Sequence, residues 1–301
     1  MTHAPFAFGT MQFGNAADDT ASAALYAAAR AAGITHFDTA HTYADGRAET
    51  ILARLAAPER DRLTIATKVG YTGGATRANI LAQFDTSRRR LNMDRVDLLY
   101  IHRHDPDTYM AETVDTLADL QSRGWIGTIG LSNHPAWATM KAQGLAAARG
   151  TRIAALQPML SLVKRQAEVE LLPLAADQGM VAYTYSPLGG GLLTGKYLAG
   201  EQGRLTTDTR YAARYADPAM QAAARGLAAL AHQTGHPPAT LAVAWLLHHP
   251  ARPVPILSAR TAAQLAPSLA ARDVALSPDL MGRLTALYPA PPSATDRTEE
   301  T

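Results

Sequence analysis

The sequence predicts an α/β chain folded as a single-domain (β/α)8 TIM barrel over residues 1–288, and three observations carry that expectation. Apolar runs of strand length alternate with helix-length segments, which is the pattern of a parallel sheet with crossover helices. Eight such strands fit within 301 residues, a length that one α/β barrel fills. The competing doubly wound sheet would need a G-x-G-x-x-G after its first strand; none is there, and Gly189-Gly190-Gly191 comes too late to serve.

In order, Ala7–Thr10 is the first strand and Asp18–Ala32 an alanine-rich helix, with an acid at its start and Gly33 as its stop. Ile34–Asp38 follows as a strand and Ala48–Leu55 as a helix, then Leu63–Lys68 with Arg77–Leu91, and Val96–His102 with Tyr109–Arg123. Ile126–Ser132 precedes a helix opening at Pro135, a residue suited to a first turn. Ala154–Gln157 is a weaker strand, followed by a helix over Glu168–Gln178, and Met180–Tyr185 is a strong strand. A long loop, Pro187–Pro218, comes after strand seven, too long for a plain link and thus a candidate lid around Tyr211 and Tyr215. Extra helices over Ala219–Thr234 and Pro238–His248 precede the last strand, Pro253–Leu257. The tail 289–301, rich in Pro, Ser and acids, is expected to be disordered.

Composition narrows the function classes. Apolar residues make up 47% of the chain and charged ones 18%, so a large core can be buried. The formal charge of +2 and the absence of any basic run denser than Arg88-Arg89-Arg90 argue against nucleic acid as a partner. With no cysteine, disulfides, thiolate zinc sites and thiol catalysis are excluded, and no metal is called for. The first eight residues lack a basic or apolar leader pattern, and no apolar run approaches the ~18 residues of a membrane span, so a cytoplasmic protein with no membrane partner is expected.

The strand ends carry the chemistry. Asp38 closes one strand with Tyr43 five residues on, Lys68 closes the next, and His102 the one after. Singly, each has a structural explanation: a cap, a packed phenol, a rim lysine, a core histidine. Consecutive strands of a parallel barrel, however, converge on one mouth, which would gather all four. An ammonium beside a phenol favours its ionised form, so Lys68 is expected to draw Tyr43 down from about 10 toward physiological pH as a general acid or base. Asp38 would be the counter-ion of Lys68, and His102 a donor to the oxygen that Tyr43 protonates.

Six segments resemble the aldo-keto reductase family: Phe37–Tyr43 (FDTAHTY), Ala66–Lys68 (ATK), Asp97–His102 (DLLYIH), Ile129–Asn133 (IGLSN), Leu156–Pro158 (LQP) and Tyr185–Gly189 (YSPLG); Arg103-His104-Asp105, directly after the histidine, resembles its bacterial branch. They stand in the family's order and reach across nearly the whole chain. The resemblance implies a barrel enzyme, an NADP-dependent oxidoreductase that transfers hydride reversibly between NADPH and a carbonyl carbon. It makes Tyr43 the proton donor, Lys68 and Asp38 its tuning pair, and His102 the residue that orients the carbonyl.

The resemblance also assigns cofactor contacts. Ser132, Asn133 and Gln157 would hold the nicotinamide carboxamide, and Tyr185 would stack on the ring. Gly9, Thr10 and Met11 would line it from the first strand, with Asp38 beside them. Ser186, Leu188, Gly189, Gly191 and Lys196 would take the pyrophosphate, and Arg260 and Gln264 the adenosine end with its 2'-phosphate. Thr261 and Gln264 form a capping-box pattern that should open a helix there. Two departures touch that end: Ser258 stands where relatives carry Gly or Lys, and Pro267-Ser268 where a Glu-Asn pair is usual, so NADH stays open beside NADPH, and Pro267 should kink or shorten the helix. Phe13, Arg103, His104, Asp105 and Tyr71 are candidates for contact with a small polar or sugar-like aldehyde or ketone. Two alternatives are a Schiff-base aldolase using Lys68 and a nucleotide-sensing regulatory subunit with little turnover; oligomeric state is left open.

Overall fold

The computed structural model describes residues 5–295. Eight parallel strands close into a barrel in sequence order: β1 (Ala7–Gly9), β2 (His36–Asp38), β3 (Thr64–Val69), β4 (Val96–Ile101), β5 (Ile126–Ser132), β6 (Ile153–Gln157), β7 (Val181–Thr184) and β8 (Val254–Leu257). Phe8 pairs with Leu257 to close the ring. The expected (β/α)8 architecture is therefore the one observed. Helices α1 (Asp19–Ala31), α2 (Arg47–Ala56), α3 (Arg77–Leu91), α4 (Met110–Ser122), α5 (Ala136–Ala148) and α6 (Leu171–Asp177) connect the first seven strands.

Side chains alternate along each strand, so one set packs between sheet and helices and the other fills the barrel. Phe8, Phe37, Ile65, Leu99, Ile129 and Leu156 belong to the large outer core. Ala66, Leu98, Tyr100 and Ala155 form a smaller inner cluster with Tyr183 against it. Lys68 pairs in register with Tyr100, Tyr100 with Gly130, and Ser132 with Gln157. A Cβ on Gly130 would sit 2.4 Å from the Tyr100 ring, so only glycine leaves room for that phenol in the barrel.

The long connection after β7 is ordered. Short helical segments run over Gly189–Thr194 and Lys196–Ala199, followed by α7 (Arg204–Thr207) and α8 (Thr209–Arg214). Tyr215 is 1% exposed, anchoring the segment on the glycine turn, where it lies 3.4 Å from the Cβ that Gly189 lacks. Helices α9 (Pro218–Thr234) and α10 (Pro238–Leu247) precede β8, as expected.

After β8, α11 (Ala262–Leu269) starts on Thr261, whose hydroxyl accepts from Gln264 N. Pro267 sits inside it and the helix ends two residues later, the shortening expected of a missing N–H. Helix α12 (Pro278–Thr285) was not foreseen. Its signal was local, with Ser277 capping Leu280 N and Pro278 in the first turn. Residues 289–295 have no helix or strand; residues 296–301 of the expected tail lie outside the described residues.

Candidate active site

Asp38 ends β2, Lys68 lies one residue before the end of β3, and His102 follows β4 directly, so the three meet at the mouth formed by the strands' C-terminal ends. Tyr43 reaches them from the loop after β2. That loop turns through left-handed backbone at Ala44 (φ 49°), Asp45 (φ 53°) and Gly46 (φ 92°). Arg90 fills the space beside Gly46, where a Cβ would come within 2.1 Å of the guanidinium carbon, and donates to the His41 carbonyl at 2.9 Å. One helix residue thus braces the loop that carries the phenol.

Lys68 is fully buried and its ammonium uses its three protons on three oxygens. It donates to Asp38 Oδ1 in a short contact, to the Thr39 carbonyl at 2.7 Å and to the Tyr43 hydroxyl at 3.2 Å. The other carboxylate oxygen, Oδ2, accepts from Gln157 Nε2 at 2.8 Å. With both oxygens accepting, Asp38 reads as the anion of the pair. Burial works against the Lys68 charge, but Asp38 and then Tyr43 outweigh it and hold the ammonium above its usual 10.5.

Tyr43 departs from the expected titration. Burial raises its phenol above 10 and the Asp38 charge adds to that, while the nearby Lys68 only partly offsets them. The expectation rests on the cation alone, whereas burial and the effect of Asp38 on the phenol itself decide the direction. The group is therefore a firmly protonated acid.

His102 is 8% exposed, and its ring meets Tyr43 edge-on with centroids 5.8 Å apart. Its Nδ1 has no hydrogen-bond partner among the described residues. Burial first, then the charges of Lys68 and Arg103, lower it to about 3, so the imidazole is neutral at physiological pH. Nearby His134, also buried, is lowered to about 4. An unfolded histidine takes its proton near 6.5 and these do not, so stability should fall as pH drops below 6.5, by up to about 1.4 kcal/mol per pH unit for each ring. Melting temperature between pH 6.5 and 5 checks this. His102→Asn should flatten the slope, and an unchanged slope would refute the assignment.

The expected nicotinamide contacts lie together beyond Asp38. Ser132 Oγ donates to the Gln157 carbonyl at 3.0 Å, Asn133 Nδ2 to the His102 carbonyl at 3.0 Å, and the Tyr185 hydroxyl to Asn133 Oδ1 at 2.6 Å. Asn133 (φ 54°) and Ser186 (φ 61°) both sit in left-handed backbone, a strain concentrated where strands give way to loops at the mouth. Gly9 lies at the end of β1, and a Cβ there would meet Ile256 at 2.9 Å. Thr10 is buried and donates to the Asp38 carbonyl at 3.2 Å, while Met11 is exposed.

Farther along, Leu188, Gly189 and Gly191 form the turn beneath Tyr211 and Tyr215, with Lys196 beside Gly191. Arg204 and Arg214, which sequence reasoning missed, flank the Tyr211 ring at 4.6 and 5.0 Å, and Lys164 lies over Tyr215 at 5.7 Å. Only folding brings these cations to the glycine turn. Arg260 and Gln264 stand at the start of α11, the Gln264 side chain accepting from Arg260 N at 3.3 Å.

The rim differs from expectation at two places. Phe13 is fully buried against Phe8, 5.7 Å between ring centres, because the turn after β1 folds it into the core; it offers a substrate no surface. Asp105 spends its carboxylate on Ala75 N (2.7 Å), Asp107 N (3.0 Å) and the Thr108 hydroxyl (2.6 Å), stapling two loops together. Arg103 stacks on Tyr71 at 5.0 Å, and Tyr71 stands 4.9 Å from the His102 ring. His104 lies against Trp137, which is 64% exposed.

The arrangement pairs a protonated phenol with a neutral imidazole and a fixed cation over an open mouth, a set able to deliver a proton to an oxygen held between them. The "Aflatoxin B1 aldehyde reductase member 2" of Rattus norvegicus is 37% identical over 195 residues, 63% of this chain and 53% of that protein. The chain thus spans only about half the length of that relative. A "Probable voltage-gated potassium channel subunit beta" of Arabidopsis thaliana is 32% identical over 282 residues, 87% of the chain and 85% of that protein. An uncharacterized oxidoreductase of Bacillus subtilis is 30% identical over 304 aligned positions, 94% of this chain and 91% of its own length. Since the model of the "Aldo/keto reductase family" matches residues 5–289, almost every element that builds the barrel and its mouth, the chain belongs to the aldo/keto reductase family.

Proposed function

We propose that the chain is an NADPH-dependent reductase of a small polar aldehyde or ketone, acting by reversible hydride transfer. One observation carries the reading: the Lys68 ammonium joins the Asp38 carboxylate to the Tyr43 hydroxyl, at 3.2 Å, under the edge of a neutral His102. Tyr43, held protonated, gives its proton to the carbonyl oxygen as that oxygen gains charge, and Lys68 stabilises the phenolate left behind. His102 orients the oxygen through a neutral N–H. Reduced nicotinamide, when bound, supplies the hydride.

The residues fit such a cofactor. Ser132, Asn133 and Tyr185 offer polar groups and a ring near Asp38, while the glycine turn at 189–191, ringed by Lys164, Lys196, Arg204 and Arg214, offers main chain and positive charge for a pyrophosphate. Arg260 and Gln264 at the start of α11 suit the adenosine end. The Arg103, His104 and Tyr71 rim favours a hydroxylated or otherwise polar substrate.

Fluorescence titration with NADPH and separately NADH, followed by a carbonyl screen with whichever binds, tests the reading. Arg260→Ala should weaken NADPH about tenfold or more and leave NADH within about twofold, since a charged hydrogen bond to the 2'-phosphate is removed. Binding of neither nucleotide would overturn the proposal. The relative named as a channel subunit motivates a second reading, nucleotide sensing without turnover; tight NADPH binding with no reduction across the screen would favour it. A Schiff-base role for Lys68 fits poorly, because Asp38 and Tyr43 hold the amine protonated.

A further inference from the structure

We infer that Gln157 is a positioning residue that acts through Asp38, holding the carboxylate ionised and aimed so that Lys68 stays beside Tyr43. This rests on the reductase reading and goes beyond the carboxamide contact that family resemblance assigns to the residue. Gln157 ends β6, opposite β2 in the barrel, and is 3% exposed. Its Nε2 donates to Asp38 Oδ2 at 2.8 Å, the oxygen that Lys68 leaves unused. Its own carbonyl accepts from Ser132 Oγ at 3.0 Å and Asn133 N at 3.4 Å, so β5 fixes the backbone from which the amide projects.

The carboxylate is 2% exposed and has two donors, one on each oxygen, which differ in kind. Lys68 carries charge and touches Tyr43. Gln157 is neutral and reaches no other member of the proton-donor set. A second cation there would compete with Lys68 for the anion, and a second carboxylate would share its proton with Asp38. A neutral donor favours the ionised form without either effect. The Tyr100 hydroxyl, fully buried in register with Lys68, lies against the Gln157 side chain and near Asp38.

Two variants of the full chain test this, with 13C-labelled aspartate followed by NMR and Asp38→Asn used to assign the Asp38 carboxyl. Gln157→Met keeps most of the volume and removes the donor. The Asp38 titration midpoint should rise by about one pH unit or more, the acid limb of kcat for 4-nitrobenzaldehyde reduction should rise with it, and the NADPH Kd should stay within about threefold. Gln157→Glu should behave in the opposite sense, gaining activity as pH is lowered until the new carboxyl is protonated and can donate to Asp38. An unmoved Asp38 midpoint in Gln157→Met, with NADPH binding weakened tenfold or more, would overturn the inference and return Gln157 to the cofactor. Absence of any reduction by the unmodified chain would instead defeat the reductase reading, while the carboxyl titration still decides what Gln157 does.

Discussion

Tyr43→Phe is expected to lower carbonyl reduction by about three orders of magnitude and leave NADPH affinity within about twofold. The substitution deletes one hydroxyl that accepts from Lys68 at 3.2 Å, and Lys68 keeps Asp38 and the Thr39 carbonyl as partners. The ring and its edge contact with His102 survive, so the mouth keeps its shape. Steady-state kinetics and fluorescence titration separate the two effects; loss of cofactor binding would count against Tyr43 as the proton donor. The pH dependence carries the same assignment. A phenol raised above 10 keeps its proton below that value, so reduction should not fall on its account as pH rises from 6 to 9. Alcohol oxidation needs the phenolate, and should climb across that range.

Lys68→Met is expected to abolish most turnover and also to destabilise the protein, a combination Tyr43→Phe should not show. Removing the ammonium leaves Asp38 buried with only Gln157 as a donor, and an uncompensated buried charge costs about 3–5 kcal/mol. For a chain of this size that corresponds to a loss of roughly ten degrees in melting temperature. Adding Asp38→Asn removes the stranded charge and should restore much of the stability without restoring activity. Differential scanning calorimetry of the single and double variants decides the matter. If the double variant melts no higher than the single, the loss comes from packing rather than charge.

Much of the barrel was legible because its signals are local. Helix α3 and strand β5 match their expected limits, α3 because Thr76 caps its start and Asn92 takes the left-handed position at its end, β5 because its apolar run is bounded on both sides. The meeting of Asp38, Lys68 and His102 was legible for a topological reason: successive parallel strands end on one face. What escaped depends on distant partners. Phe13 reads as a mouth residue until the turn after β1 folds it onto Phe8. Asp105 reads as a substrate contact until the loop at Ala75 comes to it. The Gln157 amide meets Asp38 across 119 positions, and no spacing rule reaches that far. The Tyr43 shift was misjudged because a sequence shows which charges are near in order but not how dry the site is.

The left-handed turn at 44–46 bears on how the protein can change over evolutionary time. Ala44 and Asp45 occupy left-handed backbone that residues with a side chain seldom adopt, and Arg90 occupies the volume where any side chain at position 46 would go. Loop length between β2 and α2 is therefore fixed by two anchors, the phenol on Lys68 and the glycine on Arg90. Insertions that surface loops elsewhere accept freely would here lift the hydroxyl off its partner. Diversification has to come from the β4, β5 and β7 loops instead, where residues around Arg103, Trp137 and Tyr211 can vary without moving the proton donor.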